Sequence, residues 1–60
     1  MTWTIRANDP DGQEYQMLAD TPEIVVEIYR DQRQRGRNVI IRSAEGHPVA
    51  KTTFGLRENE

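Results

Sequence analysis

The sequence predicts a single α+β domain in which two β-hairpins flank one helix, in the order ββαββ. Three observations predict it. Residues 2–7 alternate polar and apolar up to a turn sequence, residues 20–36 carry helix start and stop signals around an apolar stripe, and residues 37–43 are rich in β-branched side chains ahead of a second turn.

The first strand is expected over Thr2–Ala7, with Trp3, Ile5 and Ala7 on one face. In Asn8-Asp9-Pro10-Asp11-Gly12, Pro10 suits the second position of a type I turn and Gly12 the left-handed residue that closes a three-residue loop. Pairing Asp9 with Gln13 then sets Ala7 opposite Tyr15, Ile5 opposite Met17 and Trp3 opposite Ala19. Turn chemistry and hydrophobic pattern choose the same register.

The helix is expected to start at Thr21, an N-cap residue, with Pro22 at the first helical position, where a missing N–H costs nothing. Asp20 with Glu23 offers a variant capping box one residue earlier. Ile24, Val25, Ile28 and Tyr29 form the apolar stripe, and Gly36 supplies the left-handed stop. Glu23 and Glu27 lie toward the start and Arg30, Arg33 and Arg35 toward the end, which complements the helix dipole.

A third strand is expected over Arg37–Ser43 and a fourth over His47–Phe54, joined by Ala44-Glu45-Gly46. Pairing Ser43 with His47 sets Ile41 against Val49, Val39 against Lys51 and Ile40 against Ala50. The core face is then Val39, Ile41 and Val49, with Ile40, Ala50 and Phe54 as the competing face. Residues 1–54 are expected to form the compact domain and residues 55–60 a flexible tail.

About fourteen helical residues span about 21 Å, enough to cover one face of a four-stranded sheet. This element order and helix length resemble the small β-grasp domains. The resemblance implies sheet order 2-1-4-3, with the first and last strands parallel at the centre, while the short connections also leave order 1-2-3-4 open. It rests on element order alone and carries no function with it.

Composition limits what such a chain can do. Sixty residues without cysteine have neither a disulfide framework nor a thiolate metal site, so stability has to come from a compact core or from self-association. Residues 1–10, MTWTIRANDP, contain neither a basic run nor an apolar one, and no stretch reaches transmembrane length. The expectation is a cytoplasmic protein without a cofactor and without membrane attachment. Charge is uneven along the chain: up to residue 29, Arg6 alone stands against six carboxylates, and from 30 to 57 seven cationic residues stand against two acidic ones.

The only histidine, His47, lies beside Pro48 at a turn exit, with Ser43 and Glu45 nearby. A solvent-facing hairpin cannot shield a transition state, so this group is not expected to be catalytic. Asp9, Asp11 and Glu14 lack the ligand series of a calcium loop. Two surfaces remain. Arg30, Arg33, Arg35 and Arg37 crowd the helix end and could contact an anion, although dipole compensation and pairs such as Glu27–Arg30 and Asp31–Arg35 account for them as well. One helix covers only one side of the sheet, which leaves Thr4, Arg6, Gln16 and Arg42 uncovered. Leu18, Ile40 and Ala50 are the apolar members of that face, with Phe54 near its end. The expected function is a non-enzymatic protein-interaction module that contacts a protein partner, or itself as a homodimer, through Leu18, Ile40, Ala50 and Phe54. RNA or DNA binding through the arginine cluster is the alternative.

Overall fold

The first hairpin forms in the register that its turn dictates. In the computed structural model, which describes all sixty residues, β1 (Trp3–Asn8) and β2 (Glu14–Ala19) are antiparallel, with Trp3 opposite Ala19, Ile5 opposite Met17 and Ala7 opposite Tyr15. The Asp9 N–H donates to the Gln13 carbonyl at 2.8 Å, and Gly12 closes the loop at φ 95°.

Helix α1 (Pro22–Gln34) begins at an N-cap Thr21, whose Oγ1 accepts the Ile24 N–H at 3.2 Å. Thr21, not Asp20, is therefore the cap. At the other end the Gly36 N–H reaches the Arg33 carbonyl (3.0 Å) and the Arg37 N–H the Gln32 carbonyl (3.1 Å), with Gly36 at φ 80°. That paired pattern is a Schellman stop, and it reverses the chain into β3 (Asn38–Arg42). The helix stripe is rotated slightly from the expected one. Val25, Tyr29 and Gln32 are buried, whereas Ile24 remains 39% exposed on the flank.

The sheet order is β2-β1-β3-β4, and every pairing is antiparallel. This replaces both expected orders, 2-1-4-3 and 1-2-3-4. Strand β3 lies against β1, with Ile41 opposite Ile5 and Val39 opposite Ala7. Against order 2-1-4-3 the reason lies in β4, which is only Pro48–Val49. A strand that begins at a proline lacks a ladder N–H and belongs at a sheet edge, so it cannot take the central place that a β-grasp arrangement demands. The β-branched β3 takes that place instead, as its pattern permits pairing on both sides. Ser43 and His47 do pair (N–H to carbonyl, 2.8 Å), and Ile41 faces Val49 as expected. Beyond Val49 the expected strand gives way to a 3-10 turn at Lys51–Phe54, so Lys51 and Ala50 never meet Val39 and Ile40 in a ladder.

The core contains Ile5, Ala7, Ala19, Val25, Tyr29, Ile41 and Leu56, with Val39 and Val49 half-buried against it. Leu56 overturns the expectation that the compact part ends at residue 54, since it is 2% exposed. The turn at Lys51–Phe54 swings the chain back over the helix. The Tyr29 hydroxyl donates to the Glu60 backbone oxygen (2.8 Å), and Lys51 Nζ donates to the backbone oxygens of Glu58 (2.7 Å) and Glu60 (2.9 Å). Phe54 packs edge-to-face on Trp3, with ring centroids 5.5 Å apart, and Trp3 is half-buried as a result.

Candidate functional site: the uncovered sheet face

The helix-end arginines are largely engaged by the fold. Arg37 Nε donates to Asp9 Oδ1 at 2.6 Å and Nη1 to Gln32 Oε1 at 2.6 Å, while its guanidinium lies 4.0 Å from the centre of the Tyr15 ring. This one side chain ties the first turn, the helix end and the start of β3 together. The hydrogen bond to Asp9 is the main cause that raises the Arg37 pKa above its ordinary value. Arg35 pairs with Asp31 one helical turn back (3.2 Å), as expected. Arg30 reaches Glu60 Oε1 (3.0 Å) and not Glu27. The Glu60 carboxyl is held below its ordinary value first by the Arg57 N–H and then by Arg30. Arg33 makes only a bond from Nη1 to the Arg37 carbonyl (3.3 Å). Arg30 and Arg33 line a shallow cleft with Tyr29, Gln34 and Glu60, while Arg35 and Arg37 are turned to Asp31 and Asp9, so the four do not share one site.

The open face of the sheet is built differently. Strand alternation puts Leu18, Thr4, Arg42 and Pro48 in one cross-strand row and Gln16, Arg6 and Ile40 in the next. Leu18 is 65% and Ile40 41% exposed, but Thr4 and Arg6 lie between them. Ala50 is exposed just past the end of β4, and Phe54 sits on the helix side beside Pro22 and Val26. The expected apolar group of four is thus divided, and Phe54 leaves it altogether.

What unites this face is a pair of arginines that the sequence reading left among its polar background. Arg6 and Arg42 are diagonal neighbours across β1 and β3, a relation that brings side chains to roughly 7–8 Å. Each has its Nε covered and without an acceptor. The nearest carboxylate to Arg6 is Glu14, at 3.7 Å, too far for a hydrogen bond, and Arg42 uses Nη1 on the Gly46 carbonyl (3.1 Å). An unpaired covered donor is costly and rare in folded proteins. The signal available in the sequence was that both arginines fall on the uncovered face, and the antiparallel β1–β3 pairing that makes them neighbours was not foreseen.

No aromatic ring lies on this face. Trp3 is against Phe54, Tyr15 under Arg37, and Tyr29 in the core. His47 is exposed at its turn, with its N–H on Ser43 Oγ (3.3 Å). Fold and face together define a small α+β domain with one helix-covered and one open sheet surface. No family model, curated protein or solved structure matches the chain. No helix is long and apolar enough to cross a membrane.

Proposed function

We propose that this chain is a non-enzymatic interaction module that takes a carboxylate-bearing protein segment on its open sheet face. The observation that carries the reading is the Arg6–Arg42 pair with both Nε donors unpartnered. A carboxylate between the two guanidinium groups would supply the missing acceptors through charge-assisted bonds after a small side-chain rotation. Leu18 and Ile40 on either side offer apolar contact for the same segment.

Self-association through this face is the less favoured form of the same idea. The accessible surface of 4147 Å² is close to the roughly 4,000 Å² expected of a folded 7.0 kDa monomer, so the core does not call for a second copy. Packing the face on its own mate would also set arginines against arginines. Nucleic-acid binding loses support from the engagement of Arg30, Arg35 and Arg37 and from an open face without stacking rings.

The test is a selection of random twelve-residue peptides on the folded protein, followed by titration of the winners. The expected winners join aspartate or glutamate to apolar residues, and Arg6→Gln or Arg42→Gln weakens each by about tenfold or more without unfolding the chain. Winners rich in lysine, or binding unchanged in both variants, would defeat the reading.

A further inference from the structure

Strand β2 is the outer strand on one side of the sheet. The hydrogen bond from the Asp9 N–H to the Gln13 carbonyl makes residues 9 and 13 a bonded pair, and bonded pairs alternate along an antiparallel ladder. Tyr15, Met17 and Ala19 therefore turn their peptide groups toward β1, and Glu14, Gln16 and Leu18 turn theirs outward. A row of outward N–H and C=O groups is a template for another strand. Edges are usually blunted by proline, charged side chains, a bulge or short length. Over its six residues, EYQMLA, β2 has no proline and no bulge, and its one charge, Glu14, lies at its first residue.

A second, independent feature lies directly beside this edge. Between β2 and the helix runs a groove of about 460 Å³, lined by Met17, Ile24, Glu27, Ile28, Asp31 and Gln32. Its floor is apolar and its charged side chains, Glu27 and Asp31, are both acidic, Asp31 being paired with Arg35 and Glu27 making no ion pair. An added strand sends alternate side chains to opposite faces. The set entering the groove, if lysine or arginine, would lay its aliphatic stems over Met17, Ile24 and Ile28 and reach Glu27 with its charge, while the other, apolar set would lie beside Leu18.

From the outward peptide groups, the apolar groove and the charge of its rim, we infer that the β2 edge accepts an extended segment of a partner protein as a fifth strand, and that the segment alternates apolar residues with lysine or arginine. Main-chain bonds provide the affinity and the acidic rim selects the charge. A second copy fits less well, because β2 pairing about a two-fold axis would bring two acidic grooves together. This inference stands apart from the open-face reading, which requires an acidic partner and depends on Arg6 and Arg42.

The test uses an end-blocked eight-residue peptide alternating valine with lysine, and its glutamate–valine twin. Amide exchange is read residue by residue on isotope-labelled protein. With the lysine peptide at saturation, the amides of Glu14, Gln16 and Leu18 should exchange at least about tenfold more slowly, those of Tyr15 and Met17 should change little, and the twin should bind far more weakly. Gln16→Pro should abolish binding and leave the β1–β2 ladder intact, since its N–H points away from β1. Should Gln16→Pro unfold the chain, Glu27→Lys on the helix surface provides the check, weakening the lysine peptide about tenfold. No protection at millimolar peptide, equal binding of the twin, or protection that appears without peptide as protein concentration rises would each overturn the inference.

Discussion

Replacing Leu56 with alanine removes three carbon atoms from a side chain that is 2% exposed. At about 0.8 kcal/mol per methylene-sized group, the lost transfer energy is about 2.4 kcal/mol. The cavity left between the helix and the sheet brings the total to about 3–4 kcal/mol, within the usual range for a buried leucine. A chain of 60 residues has about 3–9 kcal/mol of stability in all, so the variant should lose at least a third of it. Urea unfolding followed by Trp3 fluorescence is the assay, since Trp3 reports through Phe54 on the same returning segment. With a slope near 1 kcal/mol/M, typical of the smallest domains, the midpoint should fall by about 3–4 M at constant slope. Leu18→Ala is the control, because Leu18 is 65% exposed and should change stability by no more than about 0.5 kcal/mol. If the two variants unfold at the same midpoint, residues 55–60 do not belong to the core and the described packing of Leu56 is refuted.

Other outcomes follow from single contacts. Arg37→Ala should lower the melting temperature, and Arg37→Lys should not restore it, because one ammonium cannot bond Asp9 and Gln32 and stack on Tyr15 together. Trp3→Ala should cost about 3 kcal/mol by chemical denaturation, the low end of the range for a large aromatic, since Trp3 is half-buried. The Glu60 carboxyl has a depressed pKa in the fold, so its contribution is complete above the ordinary glutamate value and is lost as pH falls through the folded one. Melting curves of the wild type and Glu60→Gln should therefore differ at neutral pH and converge in acid; a constant gap would contradict the pairing. Ile40→Arg should sediment as a folded monomer, because that side chain is 41% exposed and lies outside the core.

The parts of the fold set by neighbours in sequence were legible, and those set by distant partners were not. Gly12 and the alternation of Trp3, Ile5 and Ala7 agree on one register, and Thr21, Pro22 and Gly36 mark the helix without reference to anything else. Sheet order depends on which strand β1 meets on its second side, a contact across thirty residues or more. Pro48 did carry a usable signal, since a proline there confines its strand to an edge. Leu56 is one apolar residue among polar ones, so only its tertiary burial distinguishes it from a loop residue. The same limit governed the site. Arg37 reads as one of a run of like charges until the fold brings Asp9 and Tyr15 to it. Arg6 and Arg42 become a pair only through the β1–β3 register.

The most direct test of the interaction reading is the NMR signal of the Arg6 and Arg42 Nε–H groups during titration with an acidic peptide obtained by selection. In the free chain neither Nε meets a protein acceptor. On binding, both signals should move downfield and their exchange with water should slow, as expected for new bonds to a carboxylate. A peptide that binds tightly while both Nε–H signals stay where they were would contradict the assignment of this face.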